Sequence, residues 1–176
     1  MPLSDAWRRL PRGAMAEDKE ARPATFDDLL NVVRALNAQG AEYLLVGGYA
    51  LFAHGYVRAT TDIDILVPPT TTSAERVIRA LLLLPEGVAA GIDPAWFEEG
   101  NTIRVADEFV VDVMFNACGE SYESLLPHAQ TIVLDDGTPI RTVDLDGLLK
   151  TKRTVRDKDK IDRLALERAI AEKKHD

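Results

Sequence analysis

Cysteine is almost missing from this chain of 176 residues. Cys118 stands alone, so neither an internal disulfide framework nor a cysteine-cluster metal site can form. Long hydrophobic runs are missing as well. The stretches 81–84 and 109–111 fall far short of the roughly 20 apolar residues that a membrane-spanning helix needs. No apolar stretch follows Met1, which argues against a secretory signal. There is no basic excess: net charge is −8 at pH 7 and the pI is about 4.9. That balance excludes a general nucleic-acid coat protein, which needs a basic surface. It leaves room for an enzyme that holds acidic ligands through metal ions and a local basic patch. Only three histidines are present, His54, His128 and His175, and no spacing joins them into a zinc site. Repeats and low-complexity tracts are absent. What remains, 46% hydrophobic and 28% charged residues, is ordinary for a soluble globular domain and fits a reducing cytoplasm.

The chain divides into three parts. Residues 1–24 read as a flexible tail, with Pro2, Pro11, Gly13 and Pro23 among charges of both signs. Arg8, Arg9 and Arg12 suggest a transit peptide, but Asp5, Glu17, Asp18 and Glu20 oppose it. Met15 is an alternative start to Met1. Residues 25–143 read as an α/β core of the α+β kind. Thr25 and Asp28 form a capping box, Phe26, Leu29, Leu30, Val33 and Leu36 follow at helical spacing, and Gly40 stops the helix. A short buried strand is expected at 43–46, a turn at Gly47-Gly48 and a short helix at 49–54. A strand follows over 62–67, ended by Pro68-Pro69. Thr72 or Ser73 is expected to cap a helix running to Leu84, and 86–100 to be loop. Hairpins are expected from 102–105 with 109–115 and from 131–134 with 139–142. Residues 144–176 read as a helical segment packed on the core, capped by Asp144 and broken near 155–157.

The charge is unevenly spread. Residues 150–163 carry +4 and the rest of the chain −12.

The stretch that carries chemistry is Val46-Gly47-Gly48, a spacer of thirteen residues, then Asp62-Ile63-Asp64-Ile65. In a strand, residues i and i+2 share a face. Asp62 and Asp64 therefore project together, while Ile63, Ile65 and Val67 point into the core. Two adjacent carboxylates repel unless a cation sits between them, and a hard divalent ion with oxygen ligands is the natural one. The plainer alternative is a solvated strand edge. Against it, Asp is depleted in strands. A third acid, Asp112, also lies in Phe-Val-Val-Asp-Val-Met-Phe, where six apolar neighbours predict burial and hence a need for a partner or a metal. Gly47 and Gly48, lacking Cβ atoms, would let backbone approach a phosphate.

These residues resemble the DNA polymerase β-type nucleotidyltransferase superfamily. Arg58-Ala59-Thr60-Thr61-Asp62-Ile63-Asp64 is similar to the Arg-x-Thr-x-Asp-hydrophobic-Asp form of its AbiEii-like branch, which includes toxins of bacterial toxin–antitoxin systems. The segment from Leu148 to Asp162 also resembles that branch, and the likeness runs from about residue 26 to 168. The glycine motif, Gly-Gly-Tyr-Ala, differs from the Gly-Ser-x-Ala-Arg-Gly of minimal nucleotidyltransferase antitoxins. The chain is short for the toxin-like branch, whose members often carry a longer helical C-terminus.

The resemblance implies the nucleotidyltransferase fold, a small mixed sheet flanked by helices with a C-terminal helical segment. It implies catalysis with two Mg²⁺ ions, or Mn²⁺, held by Asp62, Asp64 and Asp112, and transfer of NMP from an NTP to a hydroxyl. Gly47 and Gly48 would cradle the triphosphate. Lys152 is the first choice for a triphosphate contact. Arg156 and Lys158 are second choices, set against a solvated helix face with Asp partners. Arg58 would brace the acid strand or touch phosphate. Asp159 and Asp162 read as caps or salt-bridge partners. The acceptor implied is the 3′ end of a tRNA, with a toxin role, a cognate antitoxin partner and no membrane. Rival readings are transfer to an antibiotic or a protein hydroxyl, and a non-catalytic nucleotide- or partner-binding relative. His54, His128, His175 and Cys118 read as incidental to catalysis. Trp96-Phe97 reads as a packing anchor, with base stacking as the alternative.

Overall fold

In the computed structural model the described residues are 20–153 and 157–175. The first helix, α1 (Phe26–Ala38), starts as its sequence dictates. Asp28 N–H donates to Thr25 Oγ1 at 3.2 Å, and Thr25 N–H donates back to Asp28 Oδ2 at 2.7 Å. Leu29, Val32, Val33 and Leu36 form its buried stripe, and Gly40 leaves the helix at φ +62°. Residues just before α1 are tied to the core. Ala24 is buried, its N–H donates to Thr61 O, and Arg22 pairs with Asp28 and Glu108.

The chain continues through β1 (Leu44–Val46), α2 (Gly47–Ala53), β2 (Asp62–Leu66) and α3 (Thr71–Leu81). The cap of α3 is Thr70 rather than Thr72 or Ser73, because Thr70 Oγ1 accepts from Ser73 N–H at 3.1 Å. The helix also closes three residues short of Leu84. There the chain tightens, with Leu83 and Leu84 donating to Ala80 and Leu81. The expected loop over 86–100 contains a 3₁₀ turn at Val88–Gly91 and a short helix, α4 (Trp96–Glu99).

Next come β3 (Ile103–Ala106), β4 (Val110–Met114), α5 (Tyr122–Leu125), β5 (Ala129–Val133), β6 (Pro139–Val143), α6 (Leu145–Lys150) and α7 (Asp157–Lys173). Both expected hairpins form. The turn of the first is fixed by the buried Asp107 carboxylate, which accepts from the N–H groups of Glu86, Val88 and Glu108. Asp144 caps α6 through Gly147 N–H. Helix α6 ends at Lys150, where Thr151 Oγ1 donates to Leu148 O at 2.7 Å and closes the last turn, and α7 starts at Asp157; residues 155 and 156, where the break was expected, lie outside the described residues.

The six strands form one mixed sheet in the order β3-β4-β2-β1-β6-β5. Pairs β2/β4 and β1/β6 are parallel; β1/β2, β3/β4 and β5/β6 are antiparallel. The mixed α/β class expected from the sequence is therefore the architecture found. The register sorts side chains by face. Ile63 and Ile65 of β2 lie beside Val111 and Val113 of β4, which face Val105 and Ile103 of β3; all are buried core. The alternate positions of the same strands carry Asp62, Asp64, Asp112 and Arg104 on the opposite face. Helices α1, α3 and α4 pack in sequence against one another, as do α2, α6 and α7. Among the described residues no helix is long and apolar enough to cross a membrane.

Candidate active site

Pleating alone sets the first two acids: Asp62 and Asp64 sit two apart on β2 and share its half-exposed face. The third joins them by sheet register. Asp64 lies directly beside Asp112 across the parallel β2/β4 pair, and Asp112 lies opposite Arg104 across the antiparallel β3/β4 pair. A rung Val46–Asp64–Asp112–Arg104 thus crosses four strands.

The acids form the floor of a cleft of about 470 Å³. Its walls include Gly47 from the β1–α2 turn, Asn116 and Cys118 from the loop after β4, and Lys152 with Asp159 from the C-terminal region. Burial pushes the Asp112 carboxyl above its ordinary value; Arg104 opposes that shift and Asp62 reinforces it.

Arg104 is the site residue that sequence reasoning missed. Its Nη1 donates to Asp112 Oδ2 at 3.0 Å, to Asp112 Oδ1 at 3.3 Å and to Asp62 Oδ2 at 3.3 Å. The signal was present in the sequence. A hairpin turning at Asp107-Glu108 pairs residue 104 with residue 112.

The predicted phosphate-binding residues separate into groups. Gly47 reaches the cleft at φ +70°, and a Cβ there would stand 2.2 Å from Asp64 Oδ2. Gly48 stands behind the cleft wall. A Cβ on it would meet Thr60 Cβ at 2.6 Å and Arg58 Nη1 at 2.7 Å. Arg58 also stands behind the wall, its Nε 2.7 Å from Asp162 Oδ1. Of the two roles considered for Arg58, bracing is the one with contacts in the structure. Lys152 lines the cleft but is buried, with Nζ 3.0 Å from Asp162 Oδ2 and 3.4 Å from Asp159 Oδ1. Asp159 and Asp162 are salt-bridge partners, as their sequence context implied. Arg156 and the Lys158 side chain lie outside the described residues.

The remaining polar candidates have structural contacts. His54 Nε2 is 2.8 Å from Val143 O, and His128 Nδ1 is 2.9 Å from Asp144 Oδ1. Cys118, at φ +54°, donates its thiol to Thr151 O. Phe97 is fully buried edge-on to Phe115 at 5.1 Å between ring centres, whereas Trp96 is exposed.

The donor set suits a hard divalent cation: three carboxylates on one face, one of them destabilised by burial, with a protein cation already drawn to two of them. Among the described residues no three His, Cys, Asp or Glu side chains converge as a ready metal site. No protein-family model matches the chain, and no curated protein matches it.

Proposed function

We infer that the chain is a Mg²⁺-dependent nucleotidyltransferase that moves an NMP group from an NTP to a hydroxyl acceptor and releases pyrophosphate. The observation that carries this reading is the three acids of β2 and β4 on one sheet face, beneath a cleft walled by Gly47 and Lys152. Asp62, Asp64 and Asp112 would hold Mg²⁺ or Mn²⁺. When bound, two such ions neutralise triphosphate charge and lower the pKa of the attacking hydroxyl. Gly47 keeps the wall free of a side chain where the triphosphate must approach. Lys152 offers a compact ammonium in the same cleft, oriented by Asp159 and Asp162. Arg58, through Asp162, ties the segment leading into β2 to α7 and so steadies the start of the acid strand.

The acceptor favoured by the sequence resemblance is the 3′ end of a tRNA, in a growth-inhibiting toxin with a cognate antitoxin. Exposed Arg153 and Lys160 lie close in sequence to the cleft residues Lys152 and Asp159 and would meet RNA phosphate. A second reading, transfer to a small cationic hydroxyl compound such as an aminoglycoside, draws support from the four acids that line the cleft.

The test incubates the protein with Mg²⁺, each α-labelled NTP and total cellular RNA, beside an Asp62→Ala/Asp64→Ala control. Label in a tRNA-sized band, absent from the control, is the expected result. Label in a small molecule or a protein instead would overturn the RNA acceptor and keep the transferase. No label in any acceptor, with NTP still bound, would replace the enzyme by a nucleotide-binding relative.

A further inference from the structure

Two described cations line the cleft, and they are held differently. Lys152 is buried and tied to α7, its side chain 10% exposed. Arg104 projects from the edge strand β3 with its side chain 57% exposed, and its contacts run to Asp62 and Asp112. All three hydrogen bonds come from one nitrogen, Nη1, at 3.0–3.3 Å. That is longer than the roughly 2.7–2.9 Å of a tight charge-assisted pair and lacks the two parallel bonds of a forked one. The guanidinium is therefore held by the field of two carboxylates from neighbouring strands, not by a rigid fork. Its side chain is already more than half exposed, so withdrawal carries it toward solvent.

We propose that Arg104 is an internal counter-ion that competes with the divalent cation for Asp62 and Asp112. It holds these acids while the ion is absent and must withdraw for the ion to bind. The inference rests on the reading of the three acids as divalent-cation ligands. A guanidinium has no lone pair to offer a metal, so the two cations cannot share the same carboxylate lone pairs, and at this range they repel. Arg104 thus lowers the affinity of the acids for the ion when no other anion is near. An anionic substrate that draws the guanidinium toward itself removes the competition. Linkage then requires that ion and substrate each tighten the binding of the other.

The test is Mn²⁺ binding to the full chain without nucleotide, read from loss of the free-ion electron paramagnetic resonance signal. Arg104→Gln removes the charge from an exposed edge position, and its thermal unfolding serves as the fold control. Removing the competitor should tighten Mn²⁺ binding about five- to tenfold, the range for partly exposed charge contacts and modest coupling. Arg104→Lys keeps a charge on a more flexible stem and should fall between the two. If Arg104→Gln unfolds, tighter binding by Arg104→Lys than by wild type supports the proposal and equal binding overturns it. Equal or weaker binding by a folded Arg104→Gln, with wild type binding normally, overturns the counter-ion role and leaves the acid site standing. Failure of wild type and both variants to bind Mn²⁺ overturns the counter-ion role together with the metal reading beneath it.

Discussion

Gly47→Ala separates the stability of the β1–α2 turn from its chemistry. The turn holds residue 47 at φ +70°, where an L side chain costs about 1–2 kcal/mol. The added Cβ would also stand 2.2 Å from Asp64 Oδ2, 3.0 Å from Cγ and 3.2 Å from Cβ of the same residue. The first contact can be relieved by swinging the carboxylate away. The last cannot, since Asp64 Cβ is fixed by the strand, so about 1 kcal/mol of crowding remains. The expected loss is therefore about 2–3 kcal/mol, read as a shift in urea midpoint at unchanged slope. Activity should suffer more. A swung Asp64 carboxylate misplaces a ligand by an ångström or more, enough to cost on the order of 10²-fold in transfer. The cycle with Asp64→Gly, which removes Cβ together with the carboxylate, isolates the contact. In that background the φ strain remains and most of the crowding goes, so Gly47→Ala should cost about 1 kcal/mol less, beyond the few tenths within which independent sites add. An identical cost in both backgrounds would show that Asp64 is not what the missing Cβ accommodates.

Three further outcomes follow from charged pairs. The Arg22 guanidinium, bonded to Asp28, holds that carboxyl below its ordinary value of 3.8. A depressed folded-state pKa means stability that is fully present above the unfolded value and lost as pH falls through the folded one. Asp28→Asn should thus cost about 1 kcal/mol at neutral pH, cap and partly screened pair together. The gap from wild type should close below pH 3.8; parallel urea midpoints at pH 7 and pH 3 would refute the assignment. Lys152→Met leaves Asp159 without this ammonium and Asp162, among the described residues, with its Arg58 pair. It should cost about 3 kcal/mol in urea unfolding, the lower end for breaking a buried pair. Lys152→Arg, which keeps the charge, should retain the fold and raise the KM for NTP, and an unchanged KM would remove Lys152 from the nucleotide site.

Much of the fold was legible where its cause is local. The Thr25–Asp28 box, the stop at Gly40, the alternation of β2 and the Asp144 cap each depend on residues within a few positions. Boundaries slipped where neighbouring residues offered equal chemistry. Thr70, Thr72 and Ser73 can all cap a helix, and only the backbone path after Pro68-Pro69 chooses Thr70. The end of α6 depends on Thr151 bonding back to Leu148, which competes with continuing the helix. Charge counting gives 150–163 a net +4. In the fold, Lys152 is buried against acids of α7, a tertiary fact that charge counting does not contain.

The acid site was legible in its members and not in its arrangement. Asp62 and Asp64 share a face by period alone, and Asp112 was marked by its apolar neighbours. That Asp112 stands beside Asp64 depends on β2 and β4 pairing in parallel, a contact made across 48 residues of chain. The glycine motif gains a second meaning from the same register. Val46 pairs with Asp64, so the residue that leaves β1 must pass directly over the Asp64 side chain. A Cβ there meets the carboxylate; one residue later it meets Thr60 and Arg58. The two glycines are therefore required by the acid strand before any phosphate arrives. The spacing between Gly-Gly and Asp-x-Asp is the length of chain needed to run through α2 and return antiparallel beside β1. A substitution in the glycines should accordingly act through Asp64 and Arg58, which is why the Gly47–Asp64 cycle tests the motif more directly than loss of activity alone.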